Sequence, residues 1–137
     1  MKTFFIIPGF RMQAGDKAFK WLVSYLNEKG FKVVKVPVDW NYKTLSTNTK
    51  EFIEFYDKNK GNKNYILGFS YGAVISFLTA DMLKPNKIFL CSLSPDFYED
   101  FEFMTKQDLR IVGKRRFEDV KTRRAVDIAK KLPVPSV

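Results

Sequence analysis

The chain has 137 residues, of which 45% are hydrophobic and 28% charged, and it carries a net charge of +9. This length allows one domain that buries about two-thirds of its unfolded surface. No apolar run approaches the roughly 20 residues of a membrane-spanning helix, and one cysteine, Cys91, cannot form an internal disulfide. We expect one domain over residues 1–137, cytoplasmic and without a membrane span, in which Cys91 is a buried structural thiol.

Apolar runs that predict strands alternate with amphipathic segments over the first two-thirds of the chain. Strands are predicted at 3–7, 31–38, 63–67 and 87–92. Helices are predicted between Asp16 and Gly30, after Ser46 and Thr47, and over 73–83. This alternation is typical of βαβ units with a parallel sheet. We therefore predict an α/β fold, a doubly wound parallel sheet of strand order 2-1-3-4 with helices on both faces.

The last third of the sequence has a different pattern. Residues 94–132 are predicted to be helical: one helix starts at Ser94-Pro95-Asp96, a second runs from Thr105 to Gly113, and a third covers about 122–132. Residues 132–137 have the composition of a fifth strand that has only begun, so we expect the sequence to be incomplete at this end. From Lys106 onward there are ten Lys and Arg residues against four Asp and Glu. These charges form either a solvated helical surface or a field that attracts anions.

The most informative motif is Gly68-Phe69-Ser70-Tyr71-Gly72, which lies between the predicted third strand and the following helix. A G-x-S-x-G sequence at such a junction is typical of a nucleophile elbow, a strained turn that exposes one serine hydroxyl. We expect Ser70 to have a positive φ and to lie near the loop Pro8-Gly9-Phe10, because both follow neighbouring strands at the topological switch of the sheet. The alternative is a tight turn with a buried serine.

These residues resemble those of the α/β-hydrolases, specifically the compact bacterial or archaeal kind that lacks the first two strands of larger members. The resemblance is carried by Gly68 to Ala73, by Ile7-Pro8-Gly9-Phe10 and by Ser92-Leu93-Ser94-Pro95. It implies that Ser70 is the nucleophile and that Gly68 and Gly72 flank it. It also implies an oxyanion hole formed by the backbone amides of Tyr71 and Phe10. Members of this family often have His-Gly where this chain has Pro8-Gly9, and a backbone donor is unaffected by that difference.

The chain contains no histidine, although a serine hydroxyl needs a base to become a nucleophile. The resemblance implies that the acid and the histidine follow Ser70 in the chain. Asp96 is either the acid of this triad or an acid in the first turn of a helix. The segment 94–132 lies where family members insert a cap. Its apolar residues Phe97, Phe101 and Met104 either line an acyl pocket or pack on the sheet.

The function that the sequence predicts is a serine hydrolase that cleaves a small carboxylic ester or thioester through an acyl-Ser70 intermediate, without cofactor or metal. The 137-residue chain alone is predicted to be inactive because it has no histidine. One alternative is a catalytically inactive binding protein of the same fold. A second is a basic protein that binds nucleic acid or an anionic surface. We expect no nucleic-acid partner, because the basic segment lacks interleaved aromatic residues and any helix-turn-helix motif.

Overall fold

Strands and helices alternate in the computed structural model, which describes residues 1–93, 103, 105–133 and 135–137. The elements of the first part are β1 (Lys2–Ile7), α1 (Lys17–Glu28), β2 (Lys32–Lys35), α2 (Leu45–Asn59), β3 (Lys63–Phe69), α3 (Tyr71–Leu83) and β4 (Lys87–Cys91). Three short helices follow in the described part of the chain: α4 (Lys106–Val112), α5 (Lys114–Val120) and α6 (Ala125–Ala129). None of the described helices is long and apolar enough to cross a membrane.

The four strands form one parallel sheet in the order β2-β1-β3-β4, as the sequence predicts. Strand β1 is central and pairs with β3 from Lys2 opposite Lys63 to Ile7 opposite Gly68. A parallel strand that is covered on both faces needs apolar side chains at successive positions. This requirement explains why every residue of β1 after Lys2 is buried.

Helices cover both faces of the sheet. On one face Phe5 and Ile7 belong to a core that includes Phe52 of α2 and Ile75 of α3. On the other face Phe4 and Ile6 pack with residues of α1, mainly Phe19 and Leu26. The predicted doubly wound arrangement is confirmed, and it brings the carboxyl ends of β1 and β3 side by side.

The described C-terminal helices contribute to the first of these cores. Val120 at the end of α5 and Ala125 at the start of α6 are buried in it. Helix α5 contacts α2, and α6 contacts α3. Residues 135–137 then run parallel to β4: the Ile88 amide donates to the Pro135 carbonyl (3.1 Å) and the Leu90 amide donates to the Val137 carbonyl (2.7 Å). An isolated parallel bridge between Ile88 and Ser136 therefore lies where the sequence predicts the start of a fifth strand.

Several predicted boundaries were wrong. Strand β2 ends at Lys35 instead of residue 38, since Pro37 has no amide hydrogen with which to extend the ladder. Helix α6 is shorter than the predicted 122–132. Helix α5 was not predicted, because Gly113 ends α4 with a φ of 86° and the basic residues that follow hide the apolar spacing of the next helix. Cys91 is half-buried instead of buried, and it is a free thiol.

Helix α4 begins as the sequence predicts, with a complete capping box. The Thr105 hydroxyl accepts from the Asp108 amide (3.2 Å), and the Asp108 carboxylate accepts from the Thr105 amide (2.9 Å). The hydroxyl of Thr105 also donates to this carboxylate (2.6 Å), and these bonds lower the pKa of Asp108 below its ordinary value. The cap therefore fixes the start of the segment that carries α5.

Replacing Gly68 by alanine tests how tightly β3 and α3 are packed. A Cβ at this position would overlap the Gly72 carbonyl and the Ser76 hydroxyl. We expect Gly68→Ala to lower the free energy of unfolding by about 3 kcal/mol, the upper part of the range for overpacking. Gly15→Ala is the matched control, because a Cβ at Gly15 meets nothing within 4 Å. Urea unfolding followed by circular dichroism measures both variants, and equal stability of the two would contradict this packing.

Candidate active site

Ser70 connects β3 to α3 in a strained backbone conformation. Its φ is 52° and its ψ is −115°, a region that residues with a Cβ rarely occupy. The Ser70 amide donates to the Cys91 carbonyl (2.8 Å), and the Ser70 carbonyl accepts from the Ala73 amide (2.8 Å). These bonds to β4 and to the first turn of α3 hold the turn. The predicted positive φ is confirmed, and Ser70 is exposed instead of buried.

The glycines on either side of Ser70 allow close contact with neighbouring backbone. A Cβ on Gly72 would overlap the Ile7 carbonyl at the end of β1 and lie 2.5 Å from the Pro8 carbonyl oxygen. A Cβ on Gly9 would lie 3.3 Å from the carbonyl oxygen of Phe69. The turn at Ser70 is therefore pressed against the start of the β1–α1 loop (residues 8–16), which carries Phe10.

Three aromatic rings meet beside this turn. The Phe10 centroid lies 5.5 Å from that of Trp40 and 6.0 Å from that of Tyr71, and the Trp40 and Tyr71 centroids are 5.4 Å apart. The rings are tilted or edge-to-face, which are favourable geometries for aromatic contacts. This aromatic cluster (Phe10, Trp40, Tyr71) joins the β1–α1 loop, the β2–α2 loop (residues 36–44) and the first residue of α3.

Hydrogen bonds between the two loops fix the loop that carries Phe10. The indole N–H of Trp40 donates to the Met12 carbonyl (2.9 Å), and the side-chain amide of Gln13 donates to the Val38 carbonyl (3.0 Å). Within the β1–α1 loop, the Met12 amide donates to the Gly9 carbonyl (3.0 Å) and closes a turn around Phe10. The position of the Phe10 backbone thus depends on residues that follow β2.

Arg116 of α5 ties the helical segment to the same loops. Its guanidinium donates to the carbonyls of Lys43 (2.8 Å), Val112 (3.0 Å) and Trp40. The guanidinium carbon also lies 5.1 Å from the centroid of the Phe10 ring, within the range of a cation–π contact. One side chain therefore holds the β2–α2 loop and packs on the aromatic cluster.

The backbone amide of Tyr71 is at the N-terminus of α3. The first amides of a helix have no acceptor within the helix, and the helix dipole favours negative charge near them. With the Phe10 loop alongside, the arrangement offers a hydroxyl and two backbone segments from which N–H groups can stabilise an oxyanion.

The phenol of Tyr71 does not supply the missing base. Its hydroxyl is buried and has no hydrogen-bond partner among the described residues. Burial raises the pKa of Tyr71 well above its ordinary value, and the nearby Arg116 offsets only part of this effect. The phenol therefore stays protonated at neutral pH and accepts no proton from Ser70. In the described part of the chain, no group of three or more His, Cys, Asp or Glu side chains is placed to hold a metal ion.

The predicted site residues have different outcomes. Five of them come together at the carboxyl ends of β1 and β3: Ser70, Tyr71, Phe10, Gly68 and Gly72. The predicted acid Asp96 and the predicted pocket residues Phe97, Phe101 and Met104 lie outside the described residues.

Sequence reasoning missed Trp40 and Arg116, which contact the predicted site. Trp40 follows β2 at the same edge of the sheet as Phe10, and this position could have indicated that Trp40 lies near the site. Arg116 is one of many basic residues, and nothing in the sequence distinguishes it.

Solved structures with similar folds are esterases and other hydrolases. Est1E from Butyrivibrio proteoclasticus, with ferulic acid bound, aligns with 99% of this chain and 67% of its own, with a TM-score of 0.79 and 17% identity. The Pyrococcus furiosus esterase Pf2001 aligns with 98% of this chain and 59% of its own (TM-score 0.70, 15% identity). Alpha/beta hydrolase domain-containing protein 10 from mouse aligns with 95% of this chain and 61% of its own (TM-score 0.63, 10% identity).

The chain thus spans about three-fifths to two-thirds of the length of these proteins. No protein-family model matches the sequence, and no curated protein matches it either. At such low identities the likeness is one of fold.

Replacing Ser70 by glycine tests the strain of the turn. Glycine occupies positive φ without a steric penalty, whereas alanine keeps the Cβ that serine has. We expect Ser70→Gly to be about 1 kcal/mol more stable than Ser70→Ala, because relief of backbone strain exceeds the entropy cost of glycine. Thermal or urea unfolding of the two variants measures the difference. A glycine variant that is less stable than the alanine variant would contradict the strained geometry.

Proposed function

The chain has the α/β-hydrolase fold, and we propose that it carries the nucleophile and the oxyanion hole of a serine hydrolase that cleaves a small carboxylic ester or thioester. Ser70 is the nucleophile, and the backbone amides of Tyr71 and Phe10 are the oxyanion donors. The observation that carries the proposal is the exposed residue Ser70 on a strained turn, which packs against the loop that holds Phe10.

In the proposed reaction, the Ser70 oxygen attacks the acyl carbon and its proton passes to a base. The carbonyl oxygen becomes an oxyanion that the two amides stabilise. The intermediate then collapses, the alcohol or thiol leaves with a proton, and an acyl-Ser70 ester remains. Water attacks this ester in the same way, which releases the acid and restores the hydroxyl. Removing one such donor typically costs about 100- to 1000-fold in rate.

None of the 137 residues is a histidine, the side chain that most often serves as the base in such a reaction. Without a base, a serine hydroxyl is a weak nucleophile. The oxyanion hole and binding alone leave about 1000- to 10,000-fold acceleration over water when a triad member is missing. On this proposal the 137-residue chain reacts slowly at Ser70 until a base is supplied.

The structural neighbours support an ester substrate. Two of them are esterases, and one of these has ferulic acid, an aromatic carboxylic acid, bound. In this chain, the aromatic cluster beside Ser70 offers apolar surface to the acyl part of a similarly small ester. The absence of histidine favours a second candidate function, a binding protein of this fold that holds a small ester without cleaving it.

Imidazole rescue distinguishes the two candidates. We expect a fluorophosphonate probe to label the chain slowly. Added imidazole should accelerate labelling at Ser70 by at least about tenfold. A positioned base contributes about 100- to 10,000-fold to the rate, and imidazole in solution supplies part of that contribution. Intact-protein and peptide mass spectrometry locate and quantify the adduct. Ser70→Ala should remove it.

Ser92→Ala is the matched control. Ser92 is also exposed, follows the parallel strand β4 and has a positive φ of 56°, but it is not part of the elbow. This variant should label at the rate of the unchanged chain. Labelling that imidazole does not accelerate, or that persists in Ser70→Ala, would refute the hydrolase proposal and favour the binding protein.

A further inference from the structure

A cavity of about 260 Å³ lies between the β2–α2 loop and the junction of α4 with α5. Typical ligand pockets measure about 300–1,000 Å³, so this one suits the end group of a small molecule better than a whole ligand. Its lining includes Lys43, Thr44, Lys114, Arg115 and Arg116.

The charge around this cavity is positive and only partly compensated. The Lys43 ammonium is paired with Glu51 (2.5 Å) and Asp39 (3.2 Å). By contrast, Lys114 and Arg115 form no ion pair with any residue that the structure describes. Both are exposed, so they are available to a ligand.

Arg116 connects the cavity to the proposed catalytic site. It lines the cavity and also lies over the ring of Phe10, whose amide is a proposed oxyanion donor. Phe10 in turn contacts Tyr71, the residue after Ser70. Through Arg116 the cavity therefore adjoins the aromatic cluster that flanks Ser70.

We propose that the substrate carries a second, negatively charged group, a carboxylate, which binds in this cavity. The exposed guanidinium of Arg115 matches the two oxygens of a carboxylate, and Lys114 adds positive charge that no carboxylate of the described residues neutralises. This inference rests on the proposed function, because it names the substrate class of the same site. It adds that substrates are esters or thioesters of acids with a second carboxylate.

Monomethyl succinate and dimethyl succinate are a matched pair of probes for this inference. They have nearly the same size, and only the first carries a charge at pH 7. In NMR titrations of the 137-residue chain, we expect monomethyl succinate to shift the backbone amide signals of Gly113, Lys114 and Arg115 saturably. The signals of Phe10 and Tyr71 should shift with the same concentration dependence. Dimethyl succinate should bind at least about fivefold more weakly.

Two double variants separate the cavity from general positive charge. Lys114→Ala with Arg115→Ala should weaken binding of monomethyl succinate about fivefold, since each exposed ion pair contributes about a twofold to threefold change in affinity. Lys130→Ala with Lys131→Ala removes the same charge from exposed positions outside the cavity lining and should leave the affinity unchanged. Equal losses in both variants would overturn the inference, as would equal affinities for the two succinate esters.

Ser70→Ala keeps this test independent of catalysis. In Ser70→Ala, monomethyl succinate should still shift the signals of Gly113, Lys114 and Arg115 saturably, although labelling by the fluorophosphonate is lost. If the fluorophosphonate experiment fails while monomethyl succinate still binds, the hydrolase proposal is wrong, and the cavity remains a carboxylate site for a ligand that is not cleaved. If the probe shifts Gly113 to Arg115 but not Phe10 and Tyr71, the cavity does not serve the Ser70 site, and the substrate class inferred here is wrong.

Discussion

The close approach of the Ser70 turn to the end of β1 is the constraint on which the rest of the site depends. Gly72 lies against the carbonyls of Ile7 and Pro8, where no Cβ fits, and Gly68 is equally crowded by the first turn of α3. Interiors are packed too densely to accept an added atom without a shift of backbone. Gly72 therefore lets the serine turn approach the loop that carries Phe10, and Gly68 lets β3 approach the first turn of α3. The strained φ of Ser70 persists because bonds to β4 and α3 hold both sides of the turn.

A second layer of contacts keeps the Phe10 loop in place. Trp40 reaches from the β2–α2 loop to the Met12 carbonyl and packs its ring against Phe10. Arg116 of α5 donates to the carbonyl of Trp40 and packs on the ring of Phe10. An oxyanion hole acts through donors that are fixed before the charge develops. On the proposed function, the helical segment thus contributes to catalysis by restricting the motion of a loop.

The sequence predicts the layers and the order of the strands well, because these follow from strong local patterns. The apolar run of β1, the helix spacing and the turn residues Pro8, Gly9 and Gly30 lead to one parallel topology. The strained turn at Ser70 was also predictable, since Gly68-Phe69-Ser70-Tyr71-Gly72 occurs where a strand meets a helix. Local patterns do not determine long-range contacts between loops. For this reason two sets of contacts were not predicted: the hydrogen bond from Trp40 to Met12, and the hydrogen bonds from Arg116 to the β2–α2 loop. Helix α5 was missed because its basic first turn follows a helix-ending glycine.

A crystal structure of the chain with a phosphonate adduct on Ser70 tests the central claim most directly. If the Phe10 and Tyr71 amides form the oxyanion hole, one phosphoryl oxygen of the adduct lies about 2.7–3.1 Å from both amide nitrogens. That oxygen imitates the oxyanion of the tetrahedral intermediate. An adduct on Ser70 whose phosphoryl oxygens face solvent, with neither amide within hydrogen-bond distance, would contradict the account. An adduct on another residue would contradict it as well.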